Sequence, residues 1–235
     1  VLVVRQAKGG AAHAAGTGDG TGARWGCLSQ DRPSRLVVAW ASGPREAALA
    51  EAVVQATRQR TAAQAGVPWI SDGWAAYAEV VADLYCDPVP AGIPDHDWSI
   101  LHRTPGVALT QAVKHRRGRR LLHVEVRAPI GAVAAQPYAV HIERLNGVLR
   151  DRLACLTRKT HAFAKAPAMW DAAVGLALFE HNWLRPHPAL RRPLAEPTGW
   201  RRYHRRTPAM ALGLTDHCWS FVAFLTRPVP HYARE

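Results

Sequence analysis

The sequence predicts an α/β fold: a strand hairpin feeding a mixed sheet, flanking helices, and a helical C-terminal part. Three observations lead there. Short apolar runs bounded by turn residues fill the region from Arg24 to Ser71. One of those runs breaks into Asp72-Gly73 and is followed at once by a helical pattern. From Tyr138 the apolar residues recur in three- and four-residue steps over long stretches. Strands that alternate with helices are the pattern of a sheet covered by helices.

The elements follow in order. Val1 to Val4 is a short apolar run of strand character, whereas Gly9 to Gly22 is a Gly/Ala/Thr stretch without period, read as loop. Trp25 to Leu28 and Leu36 to Trp40 are strand-like runs around Asp31-Arg32-Pro33-Ser34, whose turn chemistry makes a hairpin. Ser42-Gly43-Pro44 opens a helix carrying Leu49, Ala50, Val53 and Val54 through about Arg58. Gly66 to Ser71 is a buried-type strand, and Trp74 to Tyr85 a helix. Cys86 to Gly106, rich in Pro, Asp and Gly, reads as an inserted loop. Val107 to Val113 reads as a short helix running into the basic stretch Lys114 to Arg120, and Leu121 to Val126 as a strand. Helices are expected from Tyr138 to about Leu156 and from Ala166 to Trp183, before a Pro/Arg-rich tail from His187.

Composition narrows the function. The chain has 235 residues, 48% hydrophobic, enough for one globular domain with an appended segment and too apolar for disorder. Its formal charge of +12 favours nucleic-acid partners over small-molecule chemistry. The four cysteines, Cys27, Cys86, Cys155 and Cys218, lie far apart without a CxxC, which argues against a disulfide scaffold or zinc ribbon and for a reducing cytoplasm. The longest apolar run, near Ala172 to Phe179, is well short of a membrane span. No P-loop, GxSxG or dinucleotide fingerprint is present, and His141, His161, His181 and His187 lack zinc-ligand spacing.

Two carboxylates stand out. Asp72 follows a buried strand, and ligands of open α/β sheets gather at the carboxyl ends of strands, where an acid can hold a hard cation such as Mg²⁺. Ordinary Asp-Gly turn chemistry is the competing explanation. Glu143, Asn146 and Arg150 step by three and four along the flank of a stripe of Ile142, Leu145, Leu149, Leu153 and Leu156. An acid, an amide and a guanidinium there can serve a metal and a phosphate side by side, or simply form a solvated flank. Arg150, Arg152, Arg158, Lys159 and Lys165, with Thr157 and Thr160 among them, form a phosphate-contacting pattern.

WISDGWAAYAEVV, from Trp69, and HIERLNGVLRDRLACLTRKTHAFAK, from His141, resemble the second and third catalytic blocks of bacterial insertion-sequence DDE transposases. ALFEHNWLRPHPALRR, from Ala177, and RTPAMALGLTDHCWS, from Arg206, resemble the end of that family, and RWGCLSQDRPSRLVVAWASG resembles the strand pair ahead of the second block. The resemblance implies an RNase H-like mixed sheet that holds Mg²⁺ or Mn²⁺ through three carboxylates. It implies DNA cleavage and strand transfer at insertion-sequence ends, on double-stranded end and target DNA, by a homodimer in the cytoplasm with the nucleoid.

By residue match, Asp72 is the second metal-binding carboxylate and Glu143 the third, while Asn146 and Arg150 orient the site or grip phosphate. The first carboxylate belongs on the leading strand, yet Val1 to Lys8 contains no acid, which leaves Asp19 and Asp31 as candidates. The expected division is a loop-like segment at 1–22, a catalytic domain at 23–186 and a tail at 187–235. On this reading the chain is a catalytic-domain fragment without the family's N-terminal end-recognition region. The alternative is a catalytically incomplete DNA-binding remnant.

Overall fold

The computed structural model describes residues 2–8, 24–61, 66–90, 99–157, 162, 164 and 166–227. The chain forms two compact units: Val1–Pro33 with Val37–Val174, and Ser34–Leu36 with Gly175–Glu235. The first unit thus ends inside a helix, not after Pro186.

The first unit is built on a six-stranded sheet. Its elements are β1 (Leu2–Lys8), β2 (Trp25–Asp31), β3 (Val37–Gly43), α1 (Ala47–Arg60), β4 (Pro68–Asp72), α2 (Ala76–Leu84), β5 (Cys86–Pro90), β6 (Ser99–Arg103), β7 (Ala108–Arg117), β8 (Arg120–Ile130) and α3 (Val140–Arg152). The strand order is β3-β2-β1-β4-β7-β8. β1 pairs antiparallel with β2 and parallel with β4, β4 pairs parallel with β7, and β7 pairs antiparallel with β8. The mixed α/β architecture expected from the pattern is therefore present.

Burial explains the packing. α1 buries Leu49, Ala50, Val53, Val54 and Thr57, and it packs on β2 and β3. Thr57 Oγ1 donates to Val53 O (2.6 Å) and lies 2.6 Å from Ser29 Oγ on β2, so the polar groups of this interface satisfy one another. Trp69, Tyr77 and Leu109 are among the largest side chains of the core between sheet and helices.

Several expectations are corrected. The strand expected at Val1 to Val4 is present and longer, Leu2–Lys8, in the interior of the sheet and not in a wholly loop-like segment at 1–22. Val107 to Val113 is not a helix but the start of β7: Leu109, Thr110, Gln111 and Ala112 are all buried, and a run covered on both faces carries no period to read. The inserted loop contains the β5–β6 hairpin, paired from Cys86↔Arg103 to Pro90↔Ser99. Both strands of this separate two-stranded sheet are edges, where Pro88 and Pro90 are tolerated.

α4 (Pro167–Phe179) continues into a wide turn, Glu180–Leu184. The second unit then holds β9 (Arg192–Thr198), β10 (Arg201–His204), α5 (Pro208–Leu212) and α6 (Phe221–Thr226), where a loose tail was expected. Local signals organise it: the Thr207 side chain accepts from Met210 N at the start of α5, and Gly213 (φ 80) ends that helix in the left-handed region. Among the described residues, no helix is long and apolar enough to cross a membrane.

Candidate functional site

A cleft of about 460 Å³ opens at the carboxyl end of β4. Ser71, Asp72, Gly73 and Trp74 form one wall, Ala112 to Lys114 and Arg116 of β7 a second, and Tyr138 to Val140 with Glu143 of α3 a third, with Arg45 at the margin. Asp72 and Glu143, far apart in sequence, line the same cleft.

Asp72 is held by its surroundings. Its Oδ1 accepts from Trp74 N (3.3 Å), closing a tight turn. Gln111 Nε2 lies within hydrogen-bond reach of Ser71 Oγ (3.2 Å), Asp72 O (3.1 Å) and Trp74 O (3.1 Å), which share its two N–H groups, so one buried amide clamps the chain on both sides of the carboxylate. Gly73 lies tight against the neighbouring strand: a Cβ there would be 2.9 Å from Val113 Cγ2. Arg45 stands over the rings of Trp25 (5.2 Å) and Trp74 (5.6 Å), two cation–π contacts that fix a guanidinium beside the cleft.

Glu143 accepts from Lys114 Nζ at 2.6 Å. The cleft therefore carries both signs, with the acids Asp72 and Glu143 among Arg45, Lys114 and Arg116. Burial pushes the Tyr77 phenol well above its ordinary value, with nearby Cys27 and Asp72 adding to the effect. Tyr77 therefore stays a neutral donor, to Cys27 Sγ at 3.5 Å.

The other expected residues divide. Asn146 is 1% exposed and packs on the core side of α3 with Ile142, Leu145 and Leu149, so it does not grip phosphate from the surface. At about 100° per residue it falls about 40° beyond the arc those three define, on the border between them and the flank that Glu143 and Arg150 share. Arg150 is exposed two turns beyond Glu143. Arg152 is exposed as well, but nine residues from Glu143 it points about 180° away around the helix. Asp31 is at the wrong end of the sheet: it pairs with Leu2, and Leu2 with Trp69, three residues before Asp72 and two strands away. That is about 10 Å along the strands and about 10 Å across them. Asp19, Arg158, Lys159 and Lys165 lie outside the described residues.

The sequence does not single out Arg45 or Gln111, and it shows Lys114 and Arg116 only as members of a basic stretch. For Lys114 and Arg116 the signal was present: two cations at a period of two, visible once the segment is read as a strand. Gln111, a lone amide in an apolar run, was the other hint. Asp72 and Glu143 are hard oxygen donors of the kind Mg²⁺ takes, while no group of three His, Cys, Asp or Glu converges among the described residues.

No family model, curated protein or solved structure matches the chain.

Proposed function

We propose that the chain is the RNase H-like catalytic domain of an insertion-sequence DDE transposase, acting on double-stranded DNA ends. The observation that carries this reading is the meeting of Asp72 and Glu143, from the two motif blocks, in one cleft at the carboxyl end of β4. The order of the sheet supports it too. The leading strand β1 runs parallel to β4, with Val4 opposite Ser71, so the strand expected to bear the first carboxylate neighbours the strand bearing the second.

The donors fit one hard cation: two carboxylates suit a Mg²⁺ that keeps most of its waters. When bound, such an ion stabilises the negative charge that develops on phosphoryl oxygens during in-line displacement. The chain's own groups do the rest. Gln111 holds the Asp72 turn rigid, and Arg45, Lys114 and Arg116 offer cations to the phosphates that flank a scissile bond.

One observation favours the second reading, a DNA-binding remnant: Leu2–Lys8 carries no acid although it lies beside Asp72's strand. Two-metal chemistry needs a ligand set able to clamp both the attacking and the leaving oxygen. A nicking assay on supercoiled DNA with Mg²⁺ tests both. Nicking abolished by Asp72→Asn and by Glu143→Gln supports the transposase; tight, salt-sensitive binding without nicking supports the remnant. Neither binding nor nicking refutes both.

A further inference from the structure

The β7–β8 hairpin outgrows its sheet. β4 pairs with β7 only from Pro68↔Ala108 to Asp72↔Ala112, while β7 and β8 stay paired from Val113↔Glu125 to Arg117↔Arg120. Five further residues of antiparallel ribbon project about 17 Å beyond the last β4 pair. We propose that this ribbon is a DNA-binding arm that lies in the major groove of the duplex leading into the cleft.

Charge is the first support. Arg116, Arg117, Arg119 and Arg120 crowd the tip and are all exposed, and among the described residues none of them is paired with an acid. The arm's acid, Glu125, is already engaged by Arg127 (2.6 Å) and His115 (2.8 Å). A cluster of unpaired arginines is costly for a compact fold and matches a polyanion. Two apolar side chains stand exposed beside it, Leu121 at 43% and Leu122 at 56%, of a kind that contacts thymine methyl groups.

Stiffness is the second. The His115 and His123 rings stack across the strands with centroids 4.4 Å apart and planes 11° from parallel. Gly118, at φ 60, supplies the left-handed residue that closes the tip tightly. A ribbon ordered before binding gives up little entropy on docking.

Dimensions select the groove. Two strands about 4.8 Å apart, with the thickness of each backbone added, span on the order of 10 Å. The major groove, about 12 Å wide, admits such a ribbon, and the minor groove, about 6 Å wide, does not. Lys114 and Arg116 line the cleft, so the arm's base and the cleft are continuous.

The arm rests on DNA being the partner, and one experiment separates the two claims. The whole chain and its Arg117→Gln/Arg119→Gln/Arg120→Gln variant are titrated with a labelled 30-bp duplex between about 50 and 200 mM KCl. The variant should bind roughly tenfold more weakly or worse, with a log–log salt slope shallower by up to about 2.7, or about 0.9 per phosphate. Exchange of the same three residues to Lys should keep the slope. Wild-type protein should also protect guanine N7, which faces the major groove, from methylation. Wild-type binding with an unchanged slope in the variant, or protection confined to adenine N3 in the minor groove, overturns the arm alone. No duplex binding by the wild type overturns the arm and the DNA reading together.

Discussion

Lys114 Nζ lies 2.6 Å from Glu143 Oε1, an ion pair that ties β7 to α3 across the cleft. The carboxylate that we propose as a metal ligand is thus already answered by a cation. A divalent ion must share Glu143 with this ammonium or displace it.

The Lys114→Met variant therefore should bind Mn²⁺ more tightly than wild type in the absence of DNA. A partly exposed pair contributes about 1 kcal/mol at most, so the gain should reach up to about fivefold. Titration calorimetry reads it directly. The same variant should bind duplex DNA less tightly, because it loses a cation at the cleft. Unchanged Mn²⁺ affinity would mean that the two cations do not compete.

Gln111 holds the Asp72 turn, and the three acceptors that share its amide predict a stability cost. Gln111→Leu keeps the volume nearly constant but leaves Ser71 Oγ and the carbonyls of Asp72 and Trp74 without this donor. Asp72 O keeps the Ser71 hydroxyl as a donor (2.9 Å), so the cost falls mainly on Trp74 O, at about 1–3 kcal/mol for an acceptor left unsatisfied. Urea unfolding should show a lower midpoint with the same slope. If nicking occurs at all, it should fall in this variant even under conditions where the fold is fully retained.

The carboxyl of Glu125 is held down at about 2, first by the hydrogen bonds from Arg127 and then by those from His115. Its folded value is thus below the ordinary 4.5, so the group contributes stability above that pH. The contribution is lost as pH falls from about 4.5 towards about 2. Melting curves of wild type and Glu125→Gln should differ at pH 5 and converge by pH 2, and a difference that grows on acidification would contradict the ion pair. Because Glu125 is exposed, the effect should be small and should shrink further in high salt.

What was legible in the sequence is what is local. The β2–β3 hairpin, the strand ending in Asp72 and the helix bearing Glu143 carry their turns and periods within a dozen residues. β7 is hidden because its partner β4 is distant in sequence and its first residues are covered on both faces, so neither helix nor strand period shows. Asn146 stands at the border of the apolar arc, where angular position does not separate core from surface, and only the packing of α3 buries it. The cations of the cleft were legible only as charge, since their shared face exists only after β7 is recognised as a strand.

Gly73 joins the Asp72 turn to the base of the β7–β8 ribbon. A Cβ at this position would stand 2.9 Å from Val113 Cγ2 and 3.1 Å from Cγ1, closer than a methyl group tolerates. Gly73→Ala should therefore push Val113 or the Asp72 turn aside and destabilise the fold by about 1–3 kcal/mol. The cause is testable because it resides in one contact. Val113→Ala removes both clashing methyl groups, so the double variant should recover most of the loss that Gly73→Ala causes alone. A double-mutant cycle in urea should return a favourable coupling of more than about 0.5 kcal/mol, the size seen for residues in contact. Simple additivity would mean that the glycine is required for the backbone path of the turn and not for room beside Val113. In that case Gly73→Ala should still impair DNA nicking in the Val113→Ala background.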